Sequence, residues 1–352
     1  MRAVVYHGPK DIRLEDVPEP VLQTPEDAIV RVTAASICGS DLHVLHGLMP
    51  QMNEGAIIGH EFVGVVEAVG GAVNGFKPGE RVVGPAAIWC GTCRACRAGL
   101  LSACENGAIF GNGPLFGGLD GAQADYVRVP YAGVTLHHIP DGLSDERVLF
   151  AGDILPTAYS AVAGLAPGSR GARPGDTVVI FGAGPVGLCA VASARVFDPA
   201  RVIVVDMEEY RLQMASRLGA DLVVDASKED VRKLVKEATD GWGADYVVEA
   251  VGKQETLNNA VAISAPGGVV SVVGVFQQPV SINAPRMLSK NTTITIGLGD
   301  LGRIQELIDL IAAGRLDLTP LITHRLPFAD VITAYDIFEK RTDGAIKIVL
   351  TP

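Results

Sequence analysis

Several absences bound what this chain can be. Across 352 residues, no apolar run approaches the ~18 residues of a membrane span. Basic residues are outnumbered: 29 Lys and Arg face 40 Asp and Glu, a net charge of −11 that would repel phosphate and argues against a nucleic-acid partner. No internal repeat or low-complexity segment is present. The opening residues, MRAVVYHGPK, contain no apolar core of a secretory signal, so a reducing cytoplasm is the expected compartment. Cysteine is scarce, with six in the whole chain. That scarcity gives meaning to where they fall.

Four of the six share one fifteen-residue window, Cys90-x2-Cys93-x2-Cys96-x7-Cys104. Two residues between thiolates let the backbone curl around one tetrahedral ion, and four sulfurs leave no open position. The window is therefore expected to form a structural zinc lobe over about residues 88–106. The acidic balance removes the other common use of such a lobe, a DNA-binding ribbon.

Length implies two domains. Up to about residue 150 the texture is β-rich: short apolar stretches such as Ala28–Val32, Phe62–Val69, Arg81–Val83 and Tyr126–Val129 lie between Gly/Pro turns. From Asp176 onward, βα units alternate. Thr177–Phe181, Val202–Asp206, Asp221–Asp225, Tyr246–Glu249 and Val269–Val273 read as strands, with helices through Val196, over Glu208–Leu218 and over Asp230–Thr239. The fold class is α/β, with a doubly wound parallel sheet.

Gly182-Ala-Gly184-Pro185-Val186-Gly187 sits between the first of these strands and its helix. Gly182 permits the turn, Gly184 lets backbone approach a pyrophosphate, and Gly187 allows close helix–strand packing, with the helix N-terminus supplying amides to the phosphates. Asp206, nineteen residues past Gly187, ends the next strand, where a carboxylate accepts from ribose hydroxyls and repels a 2′-phosphate. NAD(H) is thus expected over NADP. Asp206 could also cap the helix that follows, and Arg211 could instead cradle a 2′-phosphate.

Of the remaining cysteines, Cys189 falls within the helix after the glycine turn and reads as a small buried residue. Cys38 lies in the polar loop Cys38-Gly-Ser40-Asp41-Leu-His43, and twenty-two residues later comes Gly59-His60-Glu61. A catalytic zinc takes about three protein ligands and keeps one position open. Cys38 and His60 offer two. No cysteine lies between Cys104 and Cys189, so the third is a carboxylate, either Glu61 or Asp153, the latter an acid in the apolar stretch Phe150–Thr157 that is costly to bury without a cation or donor.

In this order the motifs resemble the zinc-dependent medium-chain alcohol dehydrogenases, over essentially the whole chain. With Asp153 where many members carry a second cysteine, the chain is similar to the secondary-alcohol and formaldehyde-dehydrogenase-like branches. The resemblance implies a GroES-like, β-rich catalytic domain over 1–153, a Rossmann domain over 154–296 and a return to the catalytic domain over 297–352. It implies two zincs per chain, the catalytic one on Cys38, His60 and Asp153 with Glu61 as an occasional ligand, and Thr157, Pro185 and Val186 joining the cofactor residues. Ser40 would take the hydroxyl proton and pass it through the nicotinamide ribose to His43, while Asp41 orients the loop. Trp89, Phe110, Leu115 and Phe116 are expected on the pocket side, an apolar setting suited to a small aliphatic alcohol or carbonyl substrate. The resemblance also implies a homo-oligomer, dimer or tetramer. The alternatives are a polyol (sorbitol- or butanediol-type) or threonine dehydrogenase on the same metal site, a quinone-reductase-like activity that the presence of Cys38 and His60 argues against, and a zinc-stabilised dinucleotide-binding module without turnover.

Overall fold

The computed structural model describes residues 1–49 and 51–352. The chain divides into two compact units: Met1–Asp153 together with Leu301–Pro352, and Ile154–Asp300.

The first unit is built on a seven-stranded sheet. Its strands run in the order Ile322–Pro327, Lys347–Thr351, Ala28–Ser36, Glu61–Val69, Arg81–Gly84 and His137–His138, and Tyr126–Val129 also pairs with Ala28–Ser36. Val30, Val32, Ala35, Phe62, Val66, Val82, Ile348 and Leu350 fill its core. Register carries the functional consequence. Ser36 pairs with Glu61, and Val349 pairs with Ser36, so Cys38, His60 and Lys347 arrive at one end of the sheet although 310 residues separate Ile37 from Lys347.

Close packing at this end depends on missing side chains. A Cβ on Gly84 would lie 2.0 Å from the ring of Phe62, its cross-strand partner, and a Cβ on Gly152 would lie 2.3 Å from the Gly84 carbonyl. The 3₁₀ turn Leu149–Gly152 can therefore lie flat on the strand Arg81–Gly84, where Ala86 donates to the Gly152 carbonyl at 2.9 Å. Asp153 follows directly. Phe110, expected on the pocket side, is instead fully buried and packs edge-on against Phe62 at 5.4 Å. Its apolar ring is worth more in the core than facing a pocket. Trp89 is also buried, whereas Leu115 is exposed.

His137, in the edge strand, is held down to about 4, chiefly by burial, with Gln305 opposing through a hydrogen bond. The folded chain thus refuses a proton that the unfolded chain accepts below about 6.5. Stability from this residue is intact above that value and drains as pH falls toward 4, by about 2 kcal/mol at pH 5. Urea midpoints of the wild type and His137→Gln at pH 7 and pH 5 check this: the wild type should lose more stability across the interval. Equal losses would show that His137 charges freely in the folded state.

The second unit is a six-stranded parallel sheet, ordered Leu222–Asp225, Arg201–Asp206, Thr177–Phe181, Ala244–Glu249, Ser264–Val272 and Thr293–Ile296. The order reverses beside Thr177–Phe181, which is where a doubly wound sheet opens a ligand crevice. The central strands, such as Thr177–Phe181 and Arg201–Asp206, are buried apolar runs, as in a sheet covered by helices on both faces. Cys189 is buried in the helix Pro185–Arg195.

Candidate functional site

Three constellations stand out. At the sheet end of the first unit, one donor atom from each of Cys38, His60, Glu61 and Asp153 lies within 4.8 Å of all the others. Asp153 Oδ2 is 3.4 Å from Cys38 Sγ and 3.3 Å from His60 Nε2. Ser40 Oγ lies 3.2 Å from the same Nε2, placing a hydroxyl at the rim of the cluster. Cys38 precedes the helix Gly39–Leu45, and Asp41 Oδ2 accepts from the Cys38 amide at 2.8 Å, locking the loop. His43 lies in the last turn of that helix, where burial first and His46 second hold it below its ordinary value.

The cluster's electrostatics expose a shortage of positive charge. Burial and the Asp153 carboxylate push the Cys38 thiol up. Burial would lower His60, but Asp41, Asp153 and Cys38 together drive it well above its usual value. Burial also pushes Asp153 up, but the bond to His60 and its charge, with Lys347 and a bond from Glu61, together hold it below the usual carboxylate value. Glu61 is raised to about 7 by burial even though Lys347 opposes. That lysine is wholly buried, bound to both Glu61 oxygens at 2.8 and 2.7 Å and to the Ile37 carbonyl at 2.7 Å. Glu61 thus has the Lys347 ammonium directly on both of its oxygens, while the Cys38 thiol, the His60 imidazole and the Asp153 carboxylate converge on one another. A soft and a hard anionic donor with one imidazole suit a divalent zinc ion.

The second constellation is the cysteine window. Four thiolates about 2.3 Å from a single zinc lie about 3.8 Å apart along the edges of a tetrahedron. The Sγ separations are 3.9 Å for Cys93–Cys104 and 3.6 Å for Cys90–Cys104, far beyond a disulfide bond of about 2.05 Å. All four are free thiols. Backbone amides are already aimed at sulfur, from Cys96 to Cys93 at 3.4 Å and from Cys90 to Cys104 at 3.3 Å. Such donors, led by the Thr92 amide and followed by Asn106, lower Cys90 to about 5. The lobe fits a closed zinc site.

The third is the glycine turn of the second unit. Gly182 has φ +94, and a Cβ there would lie 2.8 Å from Val251 Cγ2. A Cβ on Gly187 would lie 1.8 Å from the Gly182 carbonyl, so the helix Pro185–Arg195 can start this close only with glycine. The Gly184 Cβ position is open, with Arg211 Nη1 3.9 Å away. Pro185 and Val186 form the helix's first turn. Asp206 does not cap the next helix, Glu209–Arg217, whose N-cap is Glu208; instead Oδ2 accepts from the Ala183 amide at 2.6 Å and Oδ1 from the Met207 and Glu208 amides at 2.7 and 3.0 Å. It therefore braces the glycine turn itself, a bond the spacing alone did not reveal. Arg211 Nε donates to Tyr210 Oη at 3.0 Å. Thr157, in the helix Ile154–Ala163, abuts Gly299.

Sequence reasoning passed over Lys347. The available signal was a lone cation in the apolar strand Ile346–Leu350, which also suits an alternating, half-solvated strand.

Comparison with known proteins finds similarity along the whole chain. Residues 24–141 match the model of the alcohol dehydrogenase GroES-like domain, and residues 185–313 that of the zinc-binding dehydrogenases. An alcohol dehydrogenase of Cupriavidus necator is 36% identical, across 100% of this chain and 99% of that protein. The L-threonine 3-dehydrogenase of Bacillus subtilis is 32% identical, across 96% and 94%. Among solved structures, the alcohol dehydrogenase TADH from Thermus sp. ATN1 superposes with a TM-score of 0.95 at 42% identity, across 100% and 99% of the two chains.

Proposed function

The chain belongs to the zinc-dependent medium-chain alcohol dehydrogenase family, and from that premise we propose that it interconverts small aliphatic alcohols and their ketones or aldehydes with NAD(H), holding two zincs per chain. That it is an enzyme, an alcohol oxidoreductase using zinc and a nicotinamide cofactor on a small-molecule substrate, follows from the family itself, which sets aside the inactive zinc-stabilised module. No helix of the described residues is long and apolar enough to cross a membrane. The free thiols of the lobe suit a reducing cytoplasm. A homo-oligomer, dimer or tetramer, completes the reading.

The observation that carries the site assignment is the convergence of Cys38, His60 and Asp153 beside a Glu61 already neutralised by Lys347. The first three are the resting ligands of the catalytic zinc. Glu61 stays on its lysine and is available only during ligand exchange. Cys90, Cys93, Cys96 and Cys104 hold the structural zinc.

A zinc ion in the first site supplies Lewis-acid polarisation of the alcohol or carbonyl oxygen. The nicotinamide supplies the hydride acceptor or donor. The chain's own residues do the rest. Ser40 Oγ, at the rim of the cluster, accepts the substrate hydroxyl proton during oxidation as it gives its own proton to the relay toward His43, and the transfers reverse during reduction. His43, held below its ordinary value by burial, is ready as a neutral acceptor that passes the proton to solvent. Asp41 fixes the loop that carries Cys38 and Ser40. Gly182, Gly184, Pro185, Val186 and Gly187 present backbone to the cofactor's phosphates, and Asp206 selects for an unphosphorylated ribose, with Arg211 and Thr157 flanking.

Metal analysis and an NADH titration test this together. Two zincs per chain, NADH binding and turnover on a C2–C6 alcohol panel are expected, with butanediol, sorbitol and threonine as arms that separate the polyol and threonine readings. One zinc and no turnover would overturn it. Asp206→Ala is expected to weaken NADH about tenfold and to narrow its advantage over NADPH, because a charge-assisted acceptor is lost and the repulsion of a 2′-phosphate goes with it. Unchanged selectivity would reduce Asp206 to a brace for the Ala183 and Glu208 amides.

A further inference from the structure

Behind His60 runs a buried polar chain. His60 Nδ1 lies 3.2 Å from Asp41 Oδ1. The other Asp41 oxygen, Oδ2, accepts from the Cys38 amide at 2.8 Å and faces Gln123 Nε2 at 3.3 Å. Gln123 Nε2 also reaches the Ser36 carbonyl at 3.4 Å, and its Oε1 accepts from Tyr335 Oη at 2.8 Å. All four side chains are at most 3% exposed. Water cannot substitute for a lost partner at such depth without a cavity to hold it.

The amide has one workable orientation. Two acceptors, a carboxylate and a carbonyl, face one end of Gln123, so that end must be the NH₂. The remaining oxygen then needs a donor, and the Tyr335 hydroxyl provides it. The main chain around Gln123 is equally constrained: its amide donates to the Ile58 carbonyl at 3.0 Å, and the Ala122 amide donates to the Gly59 carbonyl at 2.9 Å. Gly59, with φ +90, is required here because a Cβ would lie 2.3 Å from Gln123 Cγ. The segment leading into His60 is thus laid directly against this glutamine.

We propose that Gln123 and Tyr335 are positioning residues of the catalytic metal site: they pin Asp41 Oδ2 so that Oδ1 alone faces His60, fixing the imidazole with Nε2 aimed at the zinc. The role rests on the assignment of zinc to Cys38, His60 and Asp153. Outer partners of a metal-bound histidine set its ring orientation and basicity, and losing one costs about 10- to 100-fold in metal affinity or activity. Gln123 touches Asp41 directly, so the low end of that range applies to it. Tyr335 acts through Gln123, and its effect is smaller and not additive with it.

Holoenzyme exposed to a chromogenic chelator tests this, with zinc release followed as two phases, one per site. Cys38→Ser identifies the catalytic-site phase by abolishing it. Gln123→Met is expected to speed that phase about tenfold and to leave the lobe phase unchanged. Tyr335→Phe, which keeps the ring and so guards against a general folding defect, is expected to speed it by a smaller factor, and the double variant should release no faster than Gln123→Met. Cobalt substituted at the site should show a shifted visible spectrum in both variants. Unchanged release and spectrum in the two variants, with melting temperature alone lowered, would overturn the proposal while leaving the zinc assignment standing. A wild type that releases one zinc in a single phase would overturn both.

Discussion

Cys38→Ser is expected to abolish turnover, lowering kcat/KM by about a thousandfold or more, while the chain remains folded and keeps one zinc. The scale is that of several kcal/mol of transition-state stabilisation withdrawn with the metal. A serine hydroxyl stays protonated at neutral pH and is a poor ligand for a borderline-soft cation. The fold should survive, because the Cys38 amide still bonds Asp41, its carbonyl still accepts from the Asp41 amide at 3.1 Å, and a serine oxygen serves the helix N-cap as well as the sulfur does. Zinc per chain should fall from two to one, with the remaining ion in the cysteine lobe, and circular dichroism should be unchanged. Retained activity would refute Cys38 as a ligand.

Lys347→Met is expected to destabilise the first unit by about 3–5 kcal/mol, the ordinary cost of removing one partner of a buried ion pair. Both Glu61 oxygens and the Ile37 carbonyl lose their donor at once. Methionine has a similar length, so lost charge rather than lost volume dominates, although a contact of the ammonium with the Phe150 ring at 5.4 Å disappears too. Thermal melting should report a fall on the order of 10 °C. Lys347→Met combined with Glu61→Gln should recover most of the loss, because the orphaned acid is then gone. A loss below about 1 kcal/mol, or no recovery in the double variant, would mean that Glu61 finds another partner.

The parallel sheet was the more legible half of the fold. Thr177–Phe181 and its neighbours are buried on both faces and read as unbroken apolar runs. Thr293–Ile296 carries little signal, because its four residues alternate polar and apolar and none of them is buried. In the first unit, Ala28–Val32 was visible as a strand, but the strand continues to Ser36, and it is those extra residues that pair with Glu61 and Val349. The members of the two donor clusters announce themselves by type: cysteines in short supply, a histidine beside a glycine, an acid among apolar residues. Their supporters do not. Lys347 lies 286 residues from Glu61, and Tyr335 lies 212 from Gln123, so only the folded sheet brings them together. Phe110 shows the opposite error, since an aromatic in a glycine-rich stretch is as much at home in a core as beside a substrate.

The crossing of the final strand back to Ala28–Ser36 also sets a timetable. At roughly 5–20 residues per second, Glu61 leaves the ribosome roughly 15 to 60 s before Lys347 does. During that interval the nascent catalytic unit lacks both an interior strand of its sheet and the cation for its buried acid. Glu61 acquires the Lys347 ammonium on both of its oxygens only when that last strand docks. A ribosome stalled within the dinucleotide-binding unit would leave a chain with a complete cysteine lobe and an unfinished reactive centre.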